Sequence, residues 1–347
     1  MKMIEFGSDF HYCDTGCASQ GHLMDLYHDA VLLADGRQCI VALIEQYGWN
    51  RIWMPAYFCY NIIEYLQKNT KTEVVLYTDY PGNDDEQAIS NLTFRDGDVL
   101  FRMNYFGLRA FRSEKPVPIP VIEDHTHDLA GDWARNSDAD WCIASLRKII
   151  PIPEGGIVWS PKGHVLDCQP KPSSFNNNLA GKRWLAMEEK GRYLIGEDCD
   201  KDSFRRLYIE TEEAFDEPGI SSIDDRSKDY LSTFDLHAWN IAKRKNWELL
   251  ADSLSGSSIK VLYPEKDDLV PLSLILLFKD RQQRDRVRKE LIASSVYPAV
   301  LWNVADNVHK DVRDFSGRML SVHCDGRYSE SEMKVLYNTI CNIIRND

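Results

Sequence analysis

The sequence predicts an α/β protein: a three-layer sandwich on a mostly parallel central sheet, followed by a smaller C-terminal α/β unit. Three observations carry this. From about residue 30, short apolar segments alternate with stretches of helical periodicity. The segments are apolar throughout rather than at every second residue, as in strands buried on both faces and covered by helices on both sides. The 347 residues, 44% hydrophobic and 27% charged, supply enough apolar material for a large core and a second unit.

The elements follow in order. "DGRQCIVALIEQYG" carries apolar residues at helical spacing and stops at a glycine. "RIWMP" reads as a strand closed by proline, and "NIIEYLQKN" as a helix. "TEVVLYTD", "DVLFRMNYFG", "PVIED", "DWCIAS" and "GGIVWS" read as further strands. From about Pro170 to Pro218 the chain turns charged and helical. One long helix is expected over "STFDLHAWNIAKRKNWELLADSLS". The strand "LVPLSLILLF", the helix "RQQRDRVRKELIASS", the strand "RMLSVHCD" and the helix "ESEMKVLYNTICNII" complete a smaller unit. The expected division is a large domain over 1–250, with an N-terminal arm over 1–28, and a small domain over 251–347.

Composition narrows the function. A net charge of -13 disfavours nucleic-acid partners, which are bound by neutralising phosphates. No apolar run approaches the length of a membrane span, and "MKMIEFGSDFHYCD" lacks the apolar core of a signal peptide. The nine cysteines are odd in number and irregular in spacing, which points to reduced thiols in the cytoplasm rather than a disulfide framework. Cys13 and Cys17 have no second ligand pair in the nearby sequence, so no metal site is expected.

Parallel strands end at one edge, and ligands bind in the crevice outside their carboxyl ends. Four features follow strands or open helices there. In "ASLRKIIPIPEGGIVWS", Lys148 follows a strand and stands beside Arg147. Lost solvation and a like charge both favour the free amine that Schiff-base chemistry needs; a solvent-exposed loop lysine would look the same in sequence. In "PVIEDHTHDLAG", Asp124 ends an apolar strand, where a carboxylate can hold a pyridinium nitrogen protonated. His127 lies three residues on. The alternatives for His125 and His127 are loop polarity or a metal pair, though "HTH" is too short for the helical spacing of zinc peptidases. In "LADGRQCIVAL", Gly36 opens a helix whose N-terminus suits an anion, with Arg37 adding charge; a glycine there also serves as a simple cap. In "WMPAYFCYN", aromatic residues after a strand suit a planar ligand, or a core.

Taken together, these motifs follow the order and approximate separations of fold-type I pyridoxal-phosphate enzymes. More narrowly, the chain resembles the DegT/DnrJ/EryC1/StrS aminotransferase family. Lys148 followed by Glu154, Gly155 and Gly156 matches that family's spacing from lysine to "EGG". "VIEDHTHDL" resembles its acidic strand end, "DGRQCIVAL" its helix start, and "LSVHCDGRYSESEM" a C-terminal pattern of its relatives. The resemblance spans about residues 5 to 345 and is weakest between 165 and 225.

The resemblance implies pyridoxal 5'-phosphate as cofactor, carried by Lys148. Asp124 would pair with the ring nitrogen and His127 would lie near the ring hydroxyl. Gly36, Arg37 and Ser145 would hold the phosphate. It further implies a homodimer and transfer of an amino group from an amino-acid donor, glutamate, to a keto acceptor such as a nucleotide-linked keto sugar. Three departures accompany it. Ser145 is two residues closer to Lys148 than usual. Cys59 falls where the family has a stacking aromatic, with Tyr57, Phe58 and Tyr60 as substitutes. The asparagine offered by a neighbouring subunit is not found. Two alternatives stay open at this stage: another reaction on the same cofactor, and a binding protein that retains the fold.

Overall fold

A computed structural model describes residues 4–14, 21–83, 85–110, 116–217, 219–254 and 259–345, the side chains of 85–87 excepted. Cys17 and parts of the expected N-terminal arm lie outside the described residues. In chain order the elements are β1 (Phe6–Gly7), α1 (Leu23–Leu26), β2 (Val31–Leu33), α2 (Gly36–Tyr47), β3 (Arg51–Pro55), α3 (Tyr60–Asn69), β4 (Glu73–Tyr77), α4 (Asp85–Ser90), β5 (Asp98–Met103), β6 (Val121–Asp124), α5 (Asp132–Arg135), β7 (Trp141–Ser145) and β8 (Gly156–Trp159). Four helices follow: α6 (Ser174–Leu194), α7 (Lys201–Ala214), α8 (Asp225–Thr233) and α9 (Leu236–Leu254). The chain closes with β9 (Lys260–Val261), β10 (Leu274–Leu277), α10 (Arg281–Ala293), β11 (Val296–Tyr297), α11 (Lys310–Arg318), β12 (Met319–Val322) and α12 (Glu330–Arg345).

The central sheet has seven strands in the order β2-β8-β7-β6-β5-β3-β4. The five strands from β7 to β4 in that order run parallel, and β8 is antiparallel to both its neighbours. The reversal follows from the connection. The proline-rich segment between β7 and β8 contains no helix long enough to carry the chain back across the sheet, so β8 returns antiparallel. Alternate residues of each strand divide between two cores. Val99, Phe101, Ile122, Ile143 and Val158 pack on the α2 and α3 side. Leu100, Val121, Cys142, Ala144 and Ile157 pack on the side of Trp184, Leu231 and Trp239, from α6, α8 and α9.

The long helix expected over residues 232–255 is found as α9, starting later at Leu236, with residues 232–233 closing α8 instead. Phe234 turns extended at φ -70° and ψ 122°, buried in the core. Asp235 then accepts the Ala238 N–H at 2.8 Å and starts a new helix as its cap. The short strands β1, β2 and β11 were not apparent from periodicity, being too brief to display one. A second sheet, β12-β10-β9, is antiparallel and shares a core with the distal half of α9, with α10 and with α12. Residue 250 falls inside α9. The segment at Phe6–Gly7 pairs in parallel with Val296–Tyr297, so the start of the chain is tied to its C-terminal part.

Candidate active site

Strand parity decides what faces the cleft. Met103, Asp124 and Ile143 are register partners across β5, β6 and β7, and all three line one cavity of about 340 Å³. Their neighbours Arg102, Glu123 and Cys142 form the matching row on the opposite face. There Glu123 accepts hydrogen bonds from Trp133 at 3.0 Å and Ser137 at 2.6 Å, with His125 Nε2 at 3.2 Å. Glu123, His125 and Cys142 bring potential metal-ligand atoms within 4.8 Å of one another, but the Glu123 carboxylate is already engaged and Arg102 lies beside it. His125 and His127 thus serve different faces and are not a metal pair.

Asp124 is buried and accepts the Thr126 N–H at 2.8 Å. No cation among the described residues contacts it, and burial pushes its carboxyl above the usual range. A buried carboxylate without a cation is costly, and a protonated ring nitrogen would supply the missing charge.

Lys148 ends the turn Leu146–Lys148 that follows β7. The residue is exposed at the cavity it lines, where the surrounding protein reduces the solvation of its ammonium. Its ammonium is pushed down to about 8, chiefly by this desolvation and next by Arg147. The glycine pair makes the arrangement possible. A Cβ on Gly156 would meet the Asp35 carbonyl oxygen at 2.2 Å, and Gly155 adopts φ +114° while its N–H binds the Ala34 carbonyl at 2.6 Å. Only glycines let β8 lie this close to the start of α2.

That helix start forms one end of the cavity. Gly36 packs on Ser145, where an added Cβ would approach the serine Cβ to 3.0 Å. The Asp35 side chain accepts the Gln38 N–H at 2.9 Å and caps the helix. Arg37, Arg147 and Arg183 converge here with Lys148. Arg37 pairs with Asp216; Arg147 makes a two-pronged contact with Glu212 at 2.8 and 3.0 Å; Arg183 reaches Glu212 and Asp9. With the helix-capping Asp35, which also feels Arg37 and Arg147, the carboxylates equal these four cations in number. The Nε donors of Arg147 and Arg183 are buried with no acceptor among the described residues. Unmet guanidinium donors beside a helix N-terminus together suit an anion such as a phosphate.

Three near-parallel rings form a wall. His127 lies 5.2 Å from Phe106 at 8° and 5.6 Å from Trp302 at 17°. Phe106 has φ 56°, a left-handed conformation that costs about 1–2 kcal/mol in a residue with a side chain. Its N–H donates to His127 Nδ1 at 2.9 Å. The ring proton of His127 therefore sits on Nε2. Burial pushes the imidazole down to about 3, so it stays neutral, a fixed donor rather than a titrating base.

The structure brings all seven residues singled out from the sequence, Gly36, Arg37, Cys59, Asp124, His127, Ser145 and Lys148, to this one cavity. Phe58 lines it too, and Cys59 reaches it as the residue that starts α3. Tyr57 instead points into the core, against Tyr105 and Phe315. Sequence reasoning missed Trp302, Arg183, Glu212 and Lys243. Trp302 sits in an irregular segment with no motif. Arg183 and Glu212 belong to helices whose charged pattern looks like a solvated face.

No protein-family model matches the chain, and no curated protein matches it by sequence. Solved structures do match in fold. PseC of Helicobacter pylori, an aminotransferase involved in the biosynthesis of pseudoaminic acid, superposes with a TM-score of 0.62 at 12% identity, over 99% of this chain and 100% of that one. NtdA of Bacillus subtilis, solved with bound cofactor PMP, gives 0.59 at 11% identity, over 95% and 78%. A DegT DnrJ EryC1 StrS aminotransferase of Brucella abortus gives 0.55 at 12%, over 90% and 85%. The chain therefore has the fold of these aminotransferases, the fold expected from its sequence.

Proposed function

We propose that the chain is a pyridoxal-phosphate-dependent aminotransferase, moving an amino group from an amino-acid donor, glutamate, to a keto acceptor, a nucleotide-linked keto sugar. One observation carries the reading. A lysine with a lowered ammonium, a buried carboxylate without a cation and a helix N-terminus flanked by three arginines share a single cavity. The cofactor, when bound, supplies the electron sink that makes a carbon-bound hydrogen of the donor acidic.

The chain's own residues do the rest. Lys148 takes the proton from the donor carbon and returns it during transfer. Asp124 would pair with the ring nitrogen and favour its protonated form, and the His127 Nε2–H would be available to the ring hydroxyl. Gly36, Arg37, Ser145 and Arg147 hold the phosphate, while Phe58, Cys59 and Trp302 bound the ring. Over the full cycle the donor leaves as its 2-oxo acid. The acceptor carbonyl becomes an amine and its oxygen leaves as water. We further read the protein as a cytoplasmic homodimer with a large domain over 1–250 and a small one over 251–347.

The test is spectroscopic. Protein supplied with pyridoxal phosphate is expected to turn yellow, and borohydride to fix the cofactor on Lys148; Lys148→Ala should do neither. Glutamate should then bleach the band. A wild-type protein that takes up no cofactor overturns the proposal.

A further inference from the structure

Lys243 has no role in the chemistry above. It projects from α9, is only 4% exposed and lines the cavity. Its ammonium has no hydrogen-bond acceptor and no carboxylate within ion-pair distance among the described residues. Two acids lie in electrostatic reach, and neither satisfies it. Asp325 is committed to Arg327 through bonds of 2.8 and 2.9 Å. Asp128 is buried, with its carboxyl pushed up by that burial, and attracts Lys243 only from beyond ion-pair distance. Desolvation also pushes Lys243 down from the usual lysine range. A cation held in this way lacks a partner, and the open side of its environment is the cavity.

The cavity also carries neutral donors that the arginine-flanked helix start does not supply. Ser273 and Ser321, hydroxyls 2.7 Å apart, line the same cavity, as does His323. One cation with neutral hydroxyl donors suits a singly charged carboxylate. The dianionic phosphate is better matched by the three arginines at the start of α2. Lys148, His127 and Lys243 all line the one cavity.

We infer that Lys243 is the recognition cation of a second anionic subsite in the cavity, one that takes a carboxylate of the amino donor. The inference rests on the proposed aminotransferase reading for the donor's identity. The anion subsite itself rests on the geometry alone.

Glutarate, which has no amino group to react, is the probe. Calorimetry on the cofactor-loaded full chain should show glutarate binding weakened at least about tenfold in Lys243→Met, the loss expected for one charged contact. Lys243→Arg should retain part of the affinity. Uptake of pyridoxal phosphate at Lys148 should be unchanged in both. Glutarate binding within threefold of wild type in Lys243→Met overturns the inference. So does loss of cofactor uptake by a folded Lys243→Met, which would assign Lys243 to the cofactor. A measurement on wild type alone covers a variant that fails to fold. Glutarate should protect Lys243 from an amine-reactive reagent, read by peptide mass mapping, and absence of protection refutes the subsite. If wild type takes up no cofactor, the aminotransferase reading falls, while protection of Lys243 in the cofactor-free chain still decides for or against the subsite.

Discussion

Lys148 and its neighbour Arg147 offer a measurable electrostatic effect in the cofactor-free protein. At about 8, roughly one Lys148 in ten carries a free amine at pH 7, against about one in three thousand for a lysine at 10.5. Arg147→Met removes the second-largest cause of the shift. It also releases Glu212, which now divides its charge between Arg147 and Arg183. Both changes favour the ammonium, so the midpoint should move to higher pH. A single charge about 4 Å away is worth about 1 kcal/mol, roughly a fivefold change in free amine, at the dielectric of water, and more at the lower effective dielectric of a partly buried site. The assay is trace labelling with an amine-reactive reagent from about pH 6 to pH 11, with the Lys148 peptide quantified by mass spectrometry and exposed Lys182 as the internal reference. Wild-type labelling should rise through a midpoint near pH 8, and the variant's should lag at pH 7. A wild-type midpoint near 10.5, or a variant midpoint shifted to lower pH, would refute the reasoning.

Two further outcomes follow from the same region. Gly156→Ala places a Cβ against the backbone oxygen of Asp35, which no rotamer change relieves; urea unfolding should register a loss of about 1–3 kcal/mol or more, and an unchanged midpoint would contradict the close approach. Glu154 is buried beside Asp224 and its carboxyl is pushed up to about 9, first by burial. Between its unfolded value of about 4.5 and 9 the folded state holds a proton that the unfolded chain has released, so this group costs stability increasingly as pH rises. Glu154→Gln stays neutral and removes that slope. Melting temperatures of variant and wild type should therefore diverge in the variant's favour from about pH 5 to about pH 9, and parallel curves would sink the assignment.

Much of the site was legible because local backbone rules placed it. An apolar strand ending in an acid, a lysine after a strand and a glycine at a helix start all fall at the carboxyl edge of a parallel sheet, and that edge is where they meet. Parity along β6 also separated Asp124 from Glu123 in principle, since neighbouring residues of a strand face opposite sides. What remained hidden had no local signature. Trp302 comes from a segment without periodicity. Arg183 looks like a surface residue of a charged helix, yet its side chain is only 5% exposed because α6 and α7 fold over the cavity.

The sequence by itself determined the class of fold, the alternation of strands and helices, and seven residues that share one cavity. The fold class and the alternation depend on contacts close along the chain and on the period of apolar residues; the seven residues were singled out by these together with the resemblance to a known family. The tertiary structure alone decided two things: the three-arginine end of the cavity with its competing Glu212, and the ammonium of Lys243 facing the cavity without a hydrogen-bonded partner. These arise where segments tens to hundreds of residues apart pack together, and the charge balance of such a place depends on which side chains lose their water there.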